Sequence, residues 1–183
     1  MLPPDPLMGW RRFLSGRRME FQIGDSVVHP VYGVGRIARI NKKRFTGTET
    51  RLYYEIRTAN TTVWVPAEAF ASIGLRRLTA KLDLTKYRTL LKSRPVVLDK
   101  NHGKRRLELV ERMKLGSFQA LCEMVRDITA RGWYKPLGSA DAASLRRAHS
   151  HLCEEWAAAA GVSLAEATEE VDALLSQAKK SYS

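Results

Sequence analysis

Two periods of apolar residues divide the chain. Between 21 and 66 the runs are short and β-branched, punctuated by His29-Pro30, Gly33, Gly35, Gly47 and Asn60, as in strands joined by tight turns. Over 51–57, Leu52, Tyr54 and Ile56 alternate with Tyr53, Glu55 and Arg57, which predicts a half-buried strand. Ala59-Asn60 turns the chain, 61–65 returns, and Pro66 cannot continue the ladder. So few residues cannot build a large sandwich, and a small SH3- or Tudor-like barrel is expected. In the returning strand Val63 and Val65 share one face, leaving Trp64 with Thr62 on the other. If the valines point inward, Trp64 points out, where aromatic side chains often anchor partners. Packing of Trp64 on a second domain is the alternative.

From residue 83 the period becomes helical. Leu84, Tyr87, Leu90 and Leu91 form one apolar face, ended by Arg94-Pro95. Leu107, Val110 and Met113 mark a second helix, with Gly116 suited to the left-handed position after it. Phe118, Leu121, Cys122, Val125 and Ile128 make a third, ending near Gly132, and Leu145, Ala148, Leu152 and Trp156 a fourth, with Gly161 after it. A capping box at Ser163 and Glu166 opens the last, which carries Ala167, Val171, Leu174, Leu175 and Ala178. The expected architecture is α+β: an N-terminal barrel domain over 19–78, then a compact five-helix domain over 79–183. Residues 1–18, with three prolines and four arginines, are expected to be disordered. They are either an extension or a start placed too early, with Met19 the true initiator.

Charge sharpens this picture. The 31 basic and 19 acidic side chains give +12, and residues 81–106 alone hold nine basic against two acidic. A focused patch points to one face laid against a polyanion, although a solvated charge run is the plainer reading. Lys100, His102, Lys104, Arg105 and Arg106 gather where a helix begins, and its first-turn N–H groups and positive dipole end suit phosphate oxygens. The same dipole repels cations, a cost easier to understand if an anion is the partner.

Candidate chemistry is sparse. His149, His151 and Cys153 invite a metal reading, but His151 lies about 160° around a helix from His149, so no shared ligand face results. Surface histidines beside a packed Cys153 are expected instead, with Cys122 and Cys153 both reduced and buried. Gly33-Val34-Gly35 lacks the lysine and helix of a phosphate loop. No catalytic residues, cofactor or metal are expected, and no run approaches the roughly 18 apolar residues of a membrane span.

The motif Phe21, Gly24, Asp25, Val27, Val28, Pro30, Tyr32, Gly33 and Gly35 resembles the opening of the polymerase-interacting domain of the CarD/CdnL family, shared with transcription-repair coupling factor. Val65-Pro66-Ala67-Glu68 and 72–76 resemble its closing segment, and 104–106, 111–117 and 123–128 resemble the C-terminal part of the family. The resemblance spans roughly 20–178. It implies a monomeric regulator in the cytoplasm, nucleoid-associated, that binds the RNA polymerase β subunit and contacts promoter DNA through its backbone, with little base specificity, at the upstream edge of the bubble. Docking would use Thr62, Val63 and Trp64 with Lys43 and Arg44. DNA contact would use Lys104 and Arg105, with Arg106 beside them, and His102 at the position where the family places a wedge tryptophan. Imidazole stacks over less area than indole, so phosphate binding is expected with a weaker wedge. A polymerase adaptor without DNA contact, and an RNA- or ribosome-binding SH3-like protein, are the alternatives.

Overall fold

The computed structural model describes residues 20–44 and 50–182. The expectations for residues 1–18 lie outside them. The β-branched runs become β1 (Ser26–His29), β2 (Gly33–Lys43), β3 (Arg51–Thr58), β4 (Thr62–Pro66) and a two-residue β5 (Arg76–Arg77). Every pairing is antiparallel, in the order β4-β3-β2-β1-β5. The sheet is open, so the expected SH3- or Tudor-like barrel does not form. Closure needs two edges that can exchange a ladder. Pro66 terminates one of them, and the other is two residues long and pairs only with β1. A single helical turn, α1 (Phe70–Ile73), lies over the sheet's apolar face instead. There Phe21 meets Tyr54 and Phe70 edge-to-face, with ring centroids 5.5 and 5.4 Å apart. Val27, Ile37, Ile56, Val65 and Leu75 complete this core.

After a 3₁₀ turn (Lys81–Asp83) come α2 (Leu84–Lys92), α3 (His102–Leu115), α4 (Phe118–Tyr134), α5 (Ser139–Ala160) and α6 (Leu164–Tyr182). The stripe of α6 is buried as its spacing requires. Its capping box is formed: the N–H and Oγ of Ser163 donate to Glu166 Oε2, and the Glu166 N–H donates back to Ser163 Oγ. Ala148, Leu152 and Trp156 of α5 pack against Phe118, Cys122, Val125 and Ile128 of α4 in one continuous core. Cys122 and Cys153 are both free and buried in it, and burial pushes the Cys122 thiol well up. Helix α4 runs through Gly132 to Tyr134, two residues past the expected end.

The face of α3 differs from the apolar reading. Leu107 is 66% exposed and Val110 44%, whereas Leu109 and Arg105 are buried. The helix turns Arg105 and Arg112 inward because carboxylates await them, while Arg106 stays exposed. Arg105 meets Asp141, while Arg112 meets Asp127, which also bonds Arg126. The two satisfied guanidinium groups of α3 take the place of an apolar stripe, which hydrophobic periodicity alone cannot detect.

Sheet and bundle meet at one junction. Arg76 grips Glu155 of α5 with both terminal nitrogens, at 2.6 and 2.7 Å, and its Nε donates to the Gly116 carbonyl at the end of α3. Glu155 is 1% exposed and also accepts from the Thr79 hydroxyl. Gly33 holds φ +72°, and an added Cβ there would sit 3.1 Å from Glu154 of α5, so a side chain would both strain the turn and press on the bundle. The β1–β2 turn, β5 and the C-terminal end of α3 therefore share this contact.

Candidate functional site

Strand β4 lies at the sheet edge opposite β5, roughly 14 Å from β1 at three strand spacings. Register places Val65 opposite Tyr54 and Val63 opposite Ile56, both partners on the core side. Val65 is buried and Val63 packs partly against the same cluster. The hydrogen-bonded pairs at 58/61 and 52/67 put the backbone of 63 and 65 toward β3 and that of Thr62 and Trp64 toward the open edge. Trp64 falls on the outer face, half-buried, with the Lys43 ammonium 3.3 Å from its ring centroid. Thr62 beside it and Arg44 at the end of β2 are exposed. Across the ladder from Trp64 stands Glu55, 5% exposed and paired with Arg57. Its alternation with Tyr53 and Arg57 put it on this face, but nothing in the sequence marked it as covered.

The cationic segment forms the first turn of α3. Asn101 is its N-cap, accepting the Lys104 N–H at 3.1 Å, so part of the expected anion-binding donor set is already satisfied by the protein. His102, Lys104 and Arg106 are exposed. Arg105 is not. The residue is 4% exposed, its guanidinium held by Asp141 and by the carbonyls of Asp99 and Lys100. This corrects the expectation that Lys104 and Arg105 form an accessible basic pair. Successive helical residues lie about 100° apart, and here the inward direction belongs to 105. The outward cations are Lys104 and Arg106, with Lys100 exposed just before them. Because the far end of α3 sits at the junction, its first turn stands about 20 Å away from it.

His149 bonds Asp172 at 2.8 Å and touches the Cys153 sulfur at 3.7 and 3.9 Å through its two ring nitrogens. The Cys153 contact and then the Asp172 hydrogen bond raise its pKa to about 9. Thiol, imidazole and carboxylate thus come together, but Cys153 is 2% exposed inside the helical core and offers a substrate no approach. His151 stands apart, at a groove against the β1–β2 turn. No group of three His, Cys, Asp or Glu side chains among the described residues could hold a metal ion. No helix among them is long and apolar enough to cross a membrane.

Among the described residues, an open antiparallel sheet with β4 at one edge is joined to a helical bundle whose α3 begins with a cationic turn. Residues 21–79 match the CarD-like/TRCF RID domain, and residues 86–172 match the CarD C-terminal domain. The chain belongs to the CarD/CdnL family of transcription regulators. It is similar to YdeB of Bacillus subtilis (strain 168), a candidate transcription factor by name. They are 29% identical over 153 residues, covering 78% of this chain and 94% of YdeB.

Proposed function

We propose that this regulator binds the RNA polymerase β subunit through β4 and its outer face, contacts promoter DNA at the upstream edge of the bubble through the α3 tip, and so modulates open-complex lifetime in the cytoplasm. The observation that carries the reading is the disposition of the two surfaces. The edge strand lies three strands from β1 at the junction, and the cationic turn lies at the opposite end of α3 from it, a separation that suits a bridge between a protein and a nucleic acid. An unpaired strand edge offers backbone donors and acceptors to a partner strand. Trp64, ordered by Lys43, with Thr62 and Arg44 beside it, supplies side-chain contact. Thr62 and Trp64 turn their backbone groups to the edge, and Val63, bonded to β3 with its side chain on the core, supports them from behind. On the DNA side, Lys104 and Arg106 meet phosphates, with His102 between them and the fork. Arg105 positions this turn from inside.

Reversing both outward cations, Lys104→Glu with Arg106→Glu, is expected to shorten open-complex lifetime and flatten the salt dependence of forked-DNA binding by about two phosphate equivalents. Polymerase capture should be retained. Trp64→Ala should do the converse, lowering capture with little change in melting temperature. The second reading, a polymerase adaptor without DNA contact, draws support from the occupied N-cap and the buried Arg105. An unchanged lifetime in the double reversal would establish it in place of the DNA role.

A further inference from the structure

We propose that the cleft between the 94–98 connector and the C-terminal ends of α4 and α6 is a stacking site for one unpaired base of single-stranded nucleic acid. The inference deepens the DNA reading above and rests on it. The cleft measures about 270 Å³. That is just below the roughly 300–1,000 Å³ of sites for drug-sized molecules, so it suits a single ring system. Its lip carries Val97, 88% exposed, Val96, 55%, and Tyr134, 71%, with the half-buried Trp133 beside them. Apolar and aromatic groups presented together in this way are a binding surface rather than scattered exposure. They are also held in place. The Val96 N–H donates to Asp127, and the Tyr134 hydroxyl donates to the Tyr182 carbonyl, both at 2.9 Å.

Charge and position narrow the occupant. Arg94 and Lys135 are exposed at the rim. Asp127, the acidic group of the lining, is 2% exposed and saturated by Arg112, Arg126 and the Val96 N–H. Among the described residues, the rim therefore presents positive charge without a free acidic group in the lining, around aromatic surface. That combination serves a base flanked by phosphates, since stacking accepts any base and the cations follow the backbone. The cleft also adjoins the α3 tip. Arg131 of the cleft and Arg105 of the tip bond the same Asp141, and residues 99–101 alone separate the connector from His102. A strand with its phosphates on Lys104 and Arg106 can thus deliver a neighbouring unpaired base to Trp133 and Tyr134. A paired base cannot enter.

The test compares blunt duplex with the same duplex carrying a single-stranded arm, using fluorescence anisotropy and 5-iodouracil photocrosslinking from the arm. Tyr134→Ala is expected to weaken forked-DNA binding roughly tenfold and leave blunt duplex unchanged, with Tyr134→Phe close to the parent. Crosslinks should map to Trp133 or Tyr134. Lys135→Glu, which removes no packing, should reduce the same preference. Equal losses on fork and duplex, crosslinks confined to the α3 tip, or an effect of Tyr134→Ala on polymerase capture alone would overturn the stacking site; the last would make the cleft a protein-docking surface. Absence of any DNA binding, including by the unaltered protein, would remove the wider DNA role and the inference with it. Retained binding that still responds to Lys104→Glu but not to Tyr134→Ala would remove the inference alone.

Discussion

Arg105 carries a full charge into the helical bundle, where Asp141 meets it with both side chains at most 6% exposed. Removing one partner of such a pair leaves the other buried and uncompensated, which typically costs 3–5 kcal/mol. Arg131 stays 3.4 Å from Asp141 and shares the burden. Arg105→Ala is therefore expected to destabilise by about 3 kcal/mol, the low end of that range, read as a lower denaturation midpoint. A stability loss below about 0.5 kcal/mol, as for an ordinary surface substitution, would show that the side chain is not interior. His149 supplies a pH signature. Its folded pKa of about 9 lies above the ordinary 6.5. The protonated ring is favoured in the fold, so its contribution is complete below about pH 6.5 and fades as pH rises toward 9. Denaturant melts across that window should show falling stability, and His149→Gln should flatten the fall. An equally steep fall in the variant would assign it to another group.

At the scale of elements, α3 unites the most telling agreements and departures. Its existence, its start near His102 and its Gly116 terminus, with φ +62°, follow from local signals. Its buried face does not, because an arginine is interior only if an acidic residue from another helix faces it. Asp141 lies 36 positions away in sequence. Asn101 is where local chemistry and binding meet. Losing a side-chain cap costs about 1 kcal/mol, so Asn101→Ala should fray the first turn and loosen the positions of His102 and Lys104. Amide exchange at Lys104 and Arg105 should accelerate while the α5 core stays protected. Unaltered exchange at those two amides would mean the cap is not what orders the tip. Edge strand β4 was legible in the same partial way. Alternation put Trp64 outward, but only the strand order exposed its edge.

For the molecule as a whole, the Arg76–Glu155 contact decides whether sheet and bundle act as one body. A bidentate pair with one partner 1% exposed, reinforced by Thr79 and by the Gly116 carbonyl, is the stiff kind of ion pair. Arg76→Met should therefore uncouple the halves, turning one calorimetric transition into two and weakening any bubble effect that needs polymerase anchor and DNA grip together. A single transition shifted uniformly downward would instead mean that the remaining contacts suffice to couple them.

The order of elements, the apolar stripes of α2, α4, α5 and α6, the capping box, the outward Trp64 and the family were all written in the sequence, because each depends on residues adjacent in the chain or on a fixed helical or strand period. Whether the sheet closes, which way Arg105 points, where the uncovered edge lies and how the 94–98 connector meets α4 and α6 depended on partners tens of residues apart. Periodicity ranks residues by hydrophobicity and cannot foresee that a distant carboxylate will make burial of a charge favourable. Only the tertiary structure brings those groups together.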